Sequence, residues 1–528
     1  MKNFLLVVAA AVMMAFGWWE LTGLVMLGGF VPLLVLASRH DSSRRSLWKM
    51  LGWTLLFIAL WYGLTIWWVW FATPAGPIAA IFFAWVYTGL PFMLWFFISK
   101  RAHKALSYTV LVSAWTVGEW VYNTNQASFP WLSTGNGFAH DVWAVQWYEW
   151  TGSFGGTIWV LVTSILIYEF LIVRRPFAVK NLLAPILSVV VPIAVSIALY
   201  CKHEEPLPLT RVTIVQPNIS AWEENSIPDW AKATNLAELA AEAPADARFI
   251  VMPETTVGDM IDEDSISFSH SLVTITNTTK AHSPEATVVV GAATRRNYGH
   301  VPKPTHTTYS DPEGWYDIYN SSLAIAPSGR VDIHHKAKMV IGAEMMPTWW
   351  WIRGLQSMLD GLGFYAGHYG FGTERTVFKN DGVTAGAGIC WESVYGEYTS
   401  EFVRNGAQVL FIITNDGWWG NTPGYRQHFD LARLRAIENR RAIARSANTG
   451  RSGFIDSRGR VMHGSDDSPL TLGWEERGTL TANIPVDHRM TVFTRLGDWP
   501  CRVSLLLLSL SILYFIAYRI RRRNHLVQ

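Results

Sequence analysis

The chain has 528 residues, of which half are hydrophobic, 16% are charged and 28 are tryptophan. A soluble protein of this length carries more charge, and a formal net charge of +2 implies no polyanion partner, nucleic acid included. The three cysteines, Cys201, Cys390 and Cys501, have neither zinc-ligand spacing nor the look of a disulfide framework. Cys201 and Cys501 flank the middle of the chain beside apolar segments and are free to pair in principle.

Apolar runs follow one another from Phe4 to Tyr200, near 4–18, 21–38, 51–71, 77–98, 105–123, 154–173 and 182–200, with an eighth near 503–518. A membrane span needs roughly 20 apolar residues, so the first and last are short. Lys2 followed by an apolar stretch resembles a signal peptide, but no small-residue cleavage site follows and a second run begins at once, which favours an anchored hairpin. Basic clusters fall in alternate loops: Arg39, Arg44, Arg45 and Lys49; Lys100, Arg101 and Lys104; Arg174, Arg175 and Lys180; Arg519, Arg521, Arg522 and Arg523. All of them can then lie on the cytoplasmic side, which puts residues 202–500 on the opposite face. The loop 119–153 holds Glu119, Trp120, Phe129-Pro130-Trp131-Leu132, Trp143, Trp147 and Trp150, a mixture suited to the membrane–water boundary or to the rim of a lipid-accepting cavity. The expected domains are 1–201 with seven spans, 202–500 outside the membrane, and 501–528 with a final span and a basic tail.

From Thr210 the pattern changes. Short apolar runs at Arg211–Gln216, Phe249–Met252, Thr287–Gly291, Ser322–Ala326, the run before Cys390, Val409–Thr414, Gly453–Asp456 and Thr479–Ile484 read as strands. Helix-like stretches at Trp230–Glu242, Ser265–Lys280 and about His428–Asn448 alternate with them, which argues for an α/β layered domain.

A lone cysteine is most often an inert buried side chain. Cys390, however, ends the small apolar run Ala385–Ile389 and precedes a helix-like run, a layout that lifts it to the lip of a sheet. There a helix N-terminus is expected to lower its pKa, and the thiolate is the effective nucleophile. Glu254 and Lys336 also stand at strand ends, where neighbouring strands bring distant residues to one pocket. A glutamate there acts as general base. A lysine ammonium, with a backbone N–H beside the cysteine, stabilises an oxyanion and favours the thiolate.

The trio Glu254, Lys336 and Cys390 resembles the Glu-Lys-Cys set of the nitrilase, or carbon–nitrogen hydrolase, superfamily. More narrowly, the whole chain resembles bacterial apolipoprotein N-acyltransferases. The most specific segment is Thr414-Asn415-Asp416-Gly417-Trp418-Trp419-Gly420, continuing to Gln427-His428-Phe429, Ala432-Arg433, Arg435-Ala436, Glu438 and Arg441; Phe129–Leu132 and Gly497-Asp498-Trp499-Pro500 follow. The family's second glutamate, eight positions after its lysine, matches Glu344 and selects Lys336 over Lys338. Trp391 and Glu392 follow the cysteine as an aromatic and a glutamate do in the family, and Trp222 matches its loop tryptophan.

The resemblance implies a multi-span α-helical membrane domain plus an α/β nitrilase-like αββα sandwich, placed in the bacterial inner membrane with the sandwich on the periplasmic face. It implies a phospholipid acyl donor, a cysteine thioester on Cys390, and an acceptor that is the α-amino group of the diacylglyceryl-cysteine of an apolipoprotein. Glu254 would shuttle protons, Lys336 would hold the oxyanion, Glu344 would support them, and Glu392 would shape the pocket. No cofactor and no metal are needed, and nothing demands more than a monomer. Two other classes fit less well. A membrane-tethered amidase or nitrilase acting on a small C–N substrate would share the trio without needing the spans. A non-catalytic transporter or scaffold would not need the trio, and transport usually needs more charge within the spans.

Overall fold

The computed structural model describes residues 1–174, 178–354 and 369–527; Arg175 and the side chains of Arg522 and Arg523, used above for orientation, lie outside them. The chain forms two compact units. The first comprises Met1–Trp67, Ala75–Lys202 and Leu496–Gln528, the second Trp68–Pro74 and His203–Arg495.

The first unit is helical. Five helices among the described residues are long and apolar enough to cross a membrane: Arg44–Thr65, Gly76–Ser99, Ser153–Val173, Val179–Lys202 and Trp499–Arg521. Lys2–Trp18 and Gly23–Ser38 are apolar but shorter. Lys104–Thr124 has 21 residues but carries Ser107, Thr109, Ser113, Thr116 and Glu119. Only 11% of the apolar window of Val179–Lys202 is buried. A helix apolar on every side and packed so little finds its solvent in lipid.

The aromatic loop behaves otherwise than a simple interfacial anchor. It folds into short turns at Pro130–Leu132, Thr134–Phe138 and Val142–Ala144. Trp131 and Tyr148 are fully buried, while Trp143 and Trp150 are partly exposed. Glu119 draws the loop inward, accepting from Trp115 Nε1 (2.9 Å), Thr134 N (2.9 Å), Thr134 Oγ1 (2.6 Å) and Thr157 Oγ1 (2.7 Å). Gly156 leaves room for the end of the Tyr148 side chain, since a Cβ there would stand 1.9 Å from the Tyr148 hydroxyl.

The second unit holds two mixed sheets. The first contains β1 (Leu209–Gln216), β2 (Phe249–Val251), β3 (Val257–Asp262), β4 (Thr287–Gly299), β5 (Tyr309–Asp311), β6 (Gly314–Ile325), β7 (Val331–His335) and, from the far end of the domain, β14 (Gly478–Pro485). Its order is β14-β1-β2-β4-β6-β5, with β3 beside β4 and β7 beside β6. The second contains β8 (Val377–Asn380), β9 (Val383–Ile389), β10 (Val409–Thr414), β11 (Ile443–Ala447), β12 (Ser452–Ile455) and β13 (Thr471–Leu472), in the order β13-β12-β11-β10-β9-β8. β1, β2 and β4 run parallel, as do β9, β10 and β11. Parallel strands are covered on both faces, which is why β2, β10 and β11 read as unbroken buried runs.

Helices Asp229–Ala241 and His270–His282 cover one face of the first sheet, packing Leu236, Leu239, Leu272 and Ile275 against Val215, Ile250 and Val288. Gly396–Arg404 lies on β9, and Pro423–Asn439 lies beside it and on β12. The other faces of the two sheets meet: the Phe249 and Phe411 rings are 5.2 Å apart and Ser446 Oγ donates to Val215 O at 2.6 Å. The result is an αββα sandwich. The helix expected over His428–Asn448 starts earlier and stops at Asn439, where Arg440 takes a left-handed φ of +50°. Residues 443–447 instead form β11 between β10 and β12, because pairing with two neighbours outweighs the helix propensity of an alanine- and arginine-rich run.

Candidate active site

Three strand ends supply the expected groups. β2 runs out at Val251, and Met252-Pro253 turns the chain so that Glu254 points back between the sheets. The turn is tight: Gly291 N donates to Pro253 O at 3.0 Å, and a Cβ on Gly291 would stand 2.5 Å from Glu254 Cα. Lys336 leaves β7 with its backbone N–H on Asn320 O at 2.8 Å. Cys390 leaves β9 in the left-handed region, φ +48°, a conformation that only a constraining neighbourhood holds for a side chain of this kind.

The structure brings Glu254, Lys336 and Glu344 into one hydrogen-bonded group. Lys336 Nζ lies 2.9 Å from Glu254 Oε1 and 2.8 Å from Glu344 Oε1. Asn320 Nδ2 donates to the same two oxygens at 2.8 and 3.1 Å. The remaining oxygens are also met: Glu254 Oε2 by Asn415 N (3.1 Å) and Glu344 Oε2 by Val340 N (2.8 Å). Burial alone would work against the Lys336 charge, but Glu254 and Glu344 hold the ammonium well above the usual lysine range. One cation between two carboxylates stays charged.

Cys390 belongs to the same electrostatic group. Burial pushes its thiol well above the ordinary value near 9, the Glu254 carboxylate adds to this, and Lys336 opposes it. This reverses the expectation of a helix-lowered thiol. The turn that follows is only Cys390–Val394, and the sulfur is sunk among buried neighbours. The resting group is therefore a thiol, and a base must take its proton before it attacks.

The supporting residues divide. Glu392 is fully buried and accepts from Ile389 N (2.9 Å), Ala337 N (2.7 Å), His334 Nε2 (3.1 Å) and the Tyr398 hydroxyl. Burial would raise its pKa, but His334 and these donors bring it down to about 2. It ties the end of the cysteine strand to the residue after Lys336 and so acts as a brace between them. Trp391 is buried with Nε1 on Tyr395 Oη at 3.1 Å. Trp222 is 64% exposed and stands edge-on to Trp418, 5.4 Å between centroids.

Sequence reasoning missed Asn320, which bridges both carboxylates. The polar Asn320-Ser321-Ser322 run inside an apolar strand marks the position as unusual but does not say what it faces. Sequence reasoning also missed Glu224, where burial raises the carboxyl to about 7, Lys232 opposes and Glu254 adds a little more. Among the described residues no group of His, Cys, Asp and Glu is arranged to hold a metal, and no disulfide links Cys201, Cys390 or Cys501.

Comparison with known proteins covers both units. Residues 5–166 match the apolipoprotein N-acyltransferase N-terminal domain and residues 211–490 match the carbon-nitrogen hydrolase domain. An apolipoprotein N-acyltransferase of Chlorobaculum tepidum is 30% identical over 498 residues, covering 90% of this chain and 88% of its own. One of Gloeobacter violaceus is 26% identical over 540 residues, covering 96% and 92%. Among solved structures, Saccharomyces cerevisiae Nit3 of the nitrilase superfamily aligns with 54% of this chain and 92% of its own at 17% identity and a TM-score of 0.38. With both units matched, and a relative aligned over nine-tenths of the chain, the chain is a bacterial membrane acyltransferase and belongs to the apolipoprotein N-acyltransferase family.

Proposed function

We propose that the protein moves an acyl chain from a phospholipid to the α-amino group of the diacylglyceryl-cysteine at the N-terminus of an apolipoprotein, through a thioester on Cys390. The unit Trp68–Pro74 with His203–Arg495 would work on the periplasmic face of the inner membrane. The observation that carries this reading is the buried Glu254–Lys336–Glu344 group beside a thiol that burial keeps protonated.

In the first step Glu254 takes the Cys390 proton as Sγ bonds to the ester carbonyl carbon. The oxyanion is stabilised by the Lys336 ammonium and the Trp391 N–H. Collapse breaks the carbon–oxygen bond, and the proton on Glu254 passes to the departing lysophospholipid oxygen. In the second step the acceptor amine attacks the thioester carbon and gives a proton to Glu254. The amide forms, the carbon–sulfur bond breaks, and that proton returns to Cys390. A thioester loses little resonance stabilisation when an amine attacks, so no nucleotide is consumed.

Mass spectrometry of the full chain after incubation with phospholipid alone tests this. The expected product is a hydroxylamine-labile acyl adduct on Cys390, and its absence from the wild type rejects the scheme. Ammonia released from small amides without lipid would replace it with a hydrolytic reading.

A further inference from the structure

One edge of β6 is shared by several pieces of chain. β5 pairs with it at Gly314–Tyr316 and β7 at Ser321–Ile325. Between them Lys336 N donates to Asn320 O at 2.8 Å, and Tyr369 forms an isolated parallel bridge with Ile318, Gly370 N donating to Ile318 O at 2.8 Å. Gly372 N then donates to Lys336 O at 2.9 Å. Backbone bonds thus tie Tyr369 both to the strand that carries Asn320 and to the residue that carries the ammonium.

Register decides which way the side chain goes. Paired residues share a face, and successive residues alternate. Ile318 shares its face with Asn320, whose side chain meets Glu254 and Glu344. Gly370 faces the other way, where a Cβ would stand 2.5 Å from the Tyr319 ring. Tyr369 therefore lies on the side of the catalytic group, with the stacked Tyr309 and Tyr316 next along the same face. It is half-buried, and among the described residues its hydroxyl has no hydrogen-bond partner. The carboxylate oxygens of Glu344 are already met by Lys336, Asn320 and Val340 N. Burial and then Glu344 raise the phenol above the ordinary tyrosine range, with Lys336 opposing and Glu254 adding, so the hydroxyl keeps its proton to give.

Charge indicates which substrate can use this donor. Two carboxylates on one ammonium leave the group with a negative balance. That balance draws an amine and repels the phosphate of a phospholipid. In the second step the attacking amine stands at Glu254, and the carbonyl oxygen of the same residue is only three bonds from that nitrogen. A carbonyl taken out of water loses free energy unless a donor meets it. We propose that the Tyr369 hydroxyl donates to the carbonyl oxygen of the acceptor's N-terminal residue, which makes Tyr369 the side chain that distinguishes a peptide α-amine from a plain alkylamine. The inference rests on the thioester reading above, with Glu254 receiving the amine's proton.

The test follows the two half-reactions separately on the full chain in phospholipid vesicles. Tyr369→Phe keeps the ring and removes only the hydroxyl. Acylation of Cys390 by phospholipid alone, read by mass spectrometry, should keep its wild-type rate. Single-turnover transfer from the acyl-enzyme to a diacylglyceryl-cysteine peptide should slow about five- to tenfold, the size of one neutral hydrogen bond. Transfer to diacylglyceryl-cysteamine, which has the lipid and the amine but no carbonyl, should be unaltered by the substitution. Equal slowing with both acceptors overturns the proposal, and so does wild-type transfer to the peptide. Slower acylation also overturns it, and gives the hydroxyl to the phospholipid instead. A wild type that forms no acyl-Cys390 at all overturns the thioester reading beneath it.

Discussion

Two fully packed carboxylates, one in each unit, are satisfied by different donors, and the difference separates scaffold from chemistry. Glu119, in the helical unit, receives two hydroxyls, one indole and one amide. Glu392, in the sandwich, receives three backbone amides, an imidazole and a phenol. Hydroxyls can turn to accept; amides cannot. Glu119 therefore needs an oxygen at one corner only, whereas Glu392 needs full carboxylate character at both. The carboxylates around Lys336 go further, because there the partner is a cation and the shared charge bears on a nucleophile. Substitutions that remove charge but keep shape should grade the three environments.

The largest effect belongs to the nucleophile. Cys390→Ala should lower transfer to a diacylglyceryl-cysteine peptide on the order of 10⁶-fold, the loss typical of removing the attacking group. The thermal unfolding midpoint should scarcely move, since the change removes one atom and no hydrogen bond of the Lys336 group. A variant that unfolds would make Cys390 part of the scaffold and erase the contrast.

Lys336→Met comes next. It leaves Glu254 and Glu344 facing each other with only Asn320 between them, so it should cost both rate and stability. Transfer should fall on the order of 10²–10³-fold, and stability by about 3–5 kcal/mol, the usual result of stranding a buried charge. Its counterpart, Glu254→Gln, separates the two roles. Glu254 helps to raise the Cys390 thiol. Neutralising it should move the pH profile of iodoacetamide alkylation downward while transfer is lost. An upward move would contradict the electrostatic arrangement.

Glu392→Gln tests the brace. Its amide nitrogen must face an N–H donor wherever it turns, stranding one buried group at about 1–3 kcal/mol. The pH dependence is sharper. Glu392 titrates near 2 when folded, against an ordinary value of 4.5. A depressed carboxyl stabilises above its unfolded pKa and loses that contribution as pH falls, here between about 4.5 and 2. The amount is on the order of 3 kcal/mol. Denaturant unfolding of the wild type from pH 6 to pH 2 should show this loss, and the Gln variant should show a shallower one.

How much of this was legible in the sequence follows from which forces are local. Cys390, Glu254 and Lys336 each sit one to three residues past a strand whose apolar run is plain, so their placement at strand ends was readable. The ending of the long helix at Asn439 was not, because β11 forms by pairing with β10 and β12, partners far outside any local window. Asn320 was hidden in the same way. Nothing in Tyr319-Asn320-Ser321 announces that β6 carries it beneath Glu254 and Glu344. The thiol was misjudged because burial depends on everything packed around Cys390, whereas the adjoining helical turn is visible in the sequence and too short to compete. Glu392 shows the same limit: its proximity to the cysteine was evident, but its grip on Ala337 was not.

The smallest effect should come from Glu119→Gln, and it is the sharpest check on the opening contrast. The retained Oε1 keeps Trp115 Nε1, Thr134 N and Thr134 Oγ1. The new amide takes the place of Oε2, whose partner is the Thr157 hydroxyl at 2.7 Å. That hydroxyl already accepts from Gly135 N at 3.1 Å and has a second lone pair to offer the amide. Stability should change by less than about 1 kcal/mol and transfer should be unaltered, whereas Glu119→Ala, which strands the Thr134 amide and the Trp115 indole, should cost about 1–3 kcal/mol. If Gln proved as damaging as Ala, the charge of Glu119 would matter in its own right. The helical unit would then hold an ionised group with a task beyond fastening a loop.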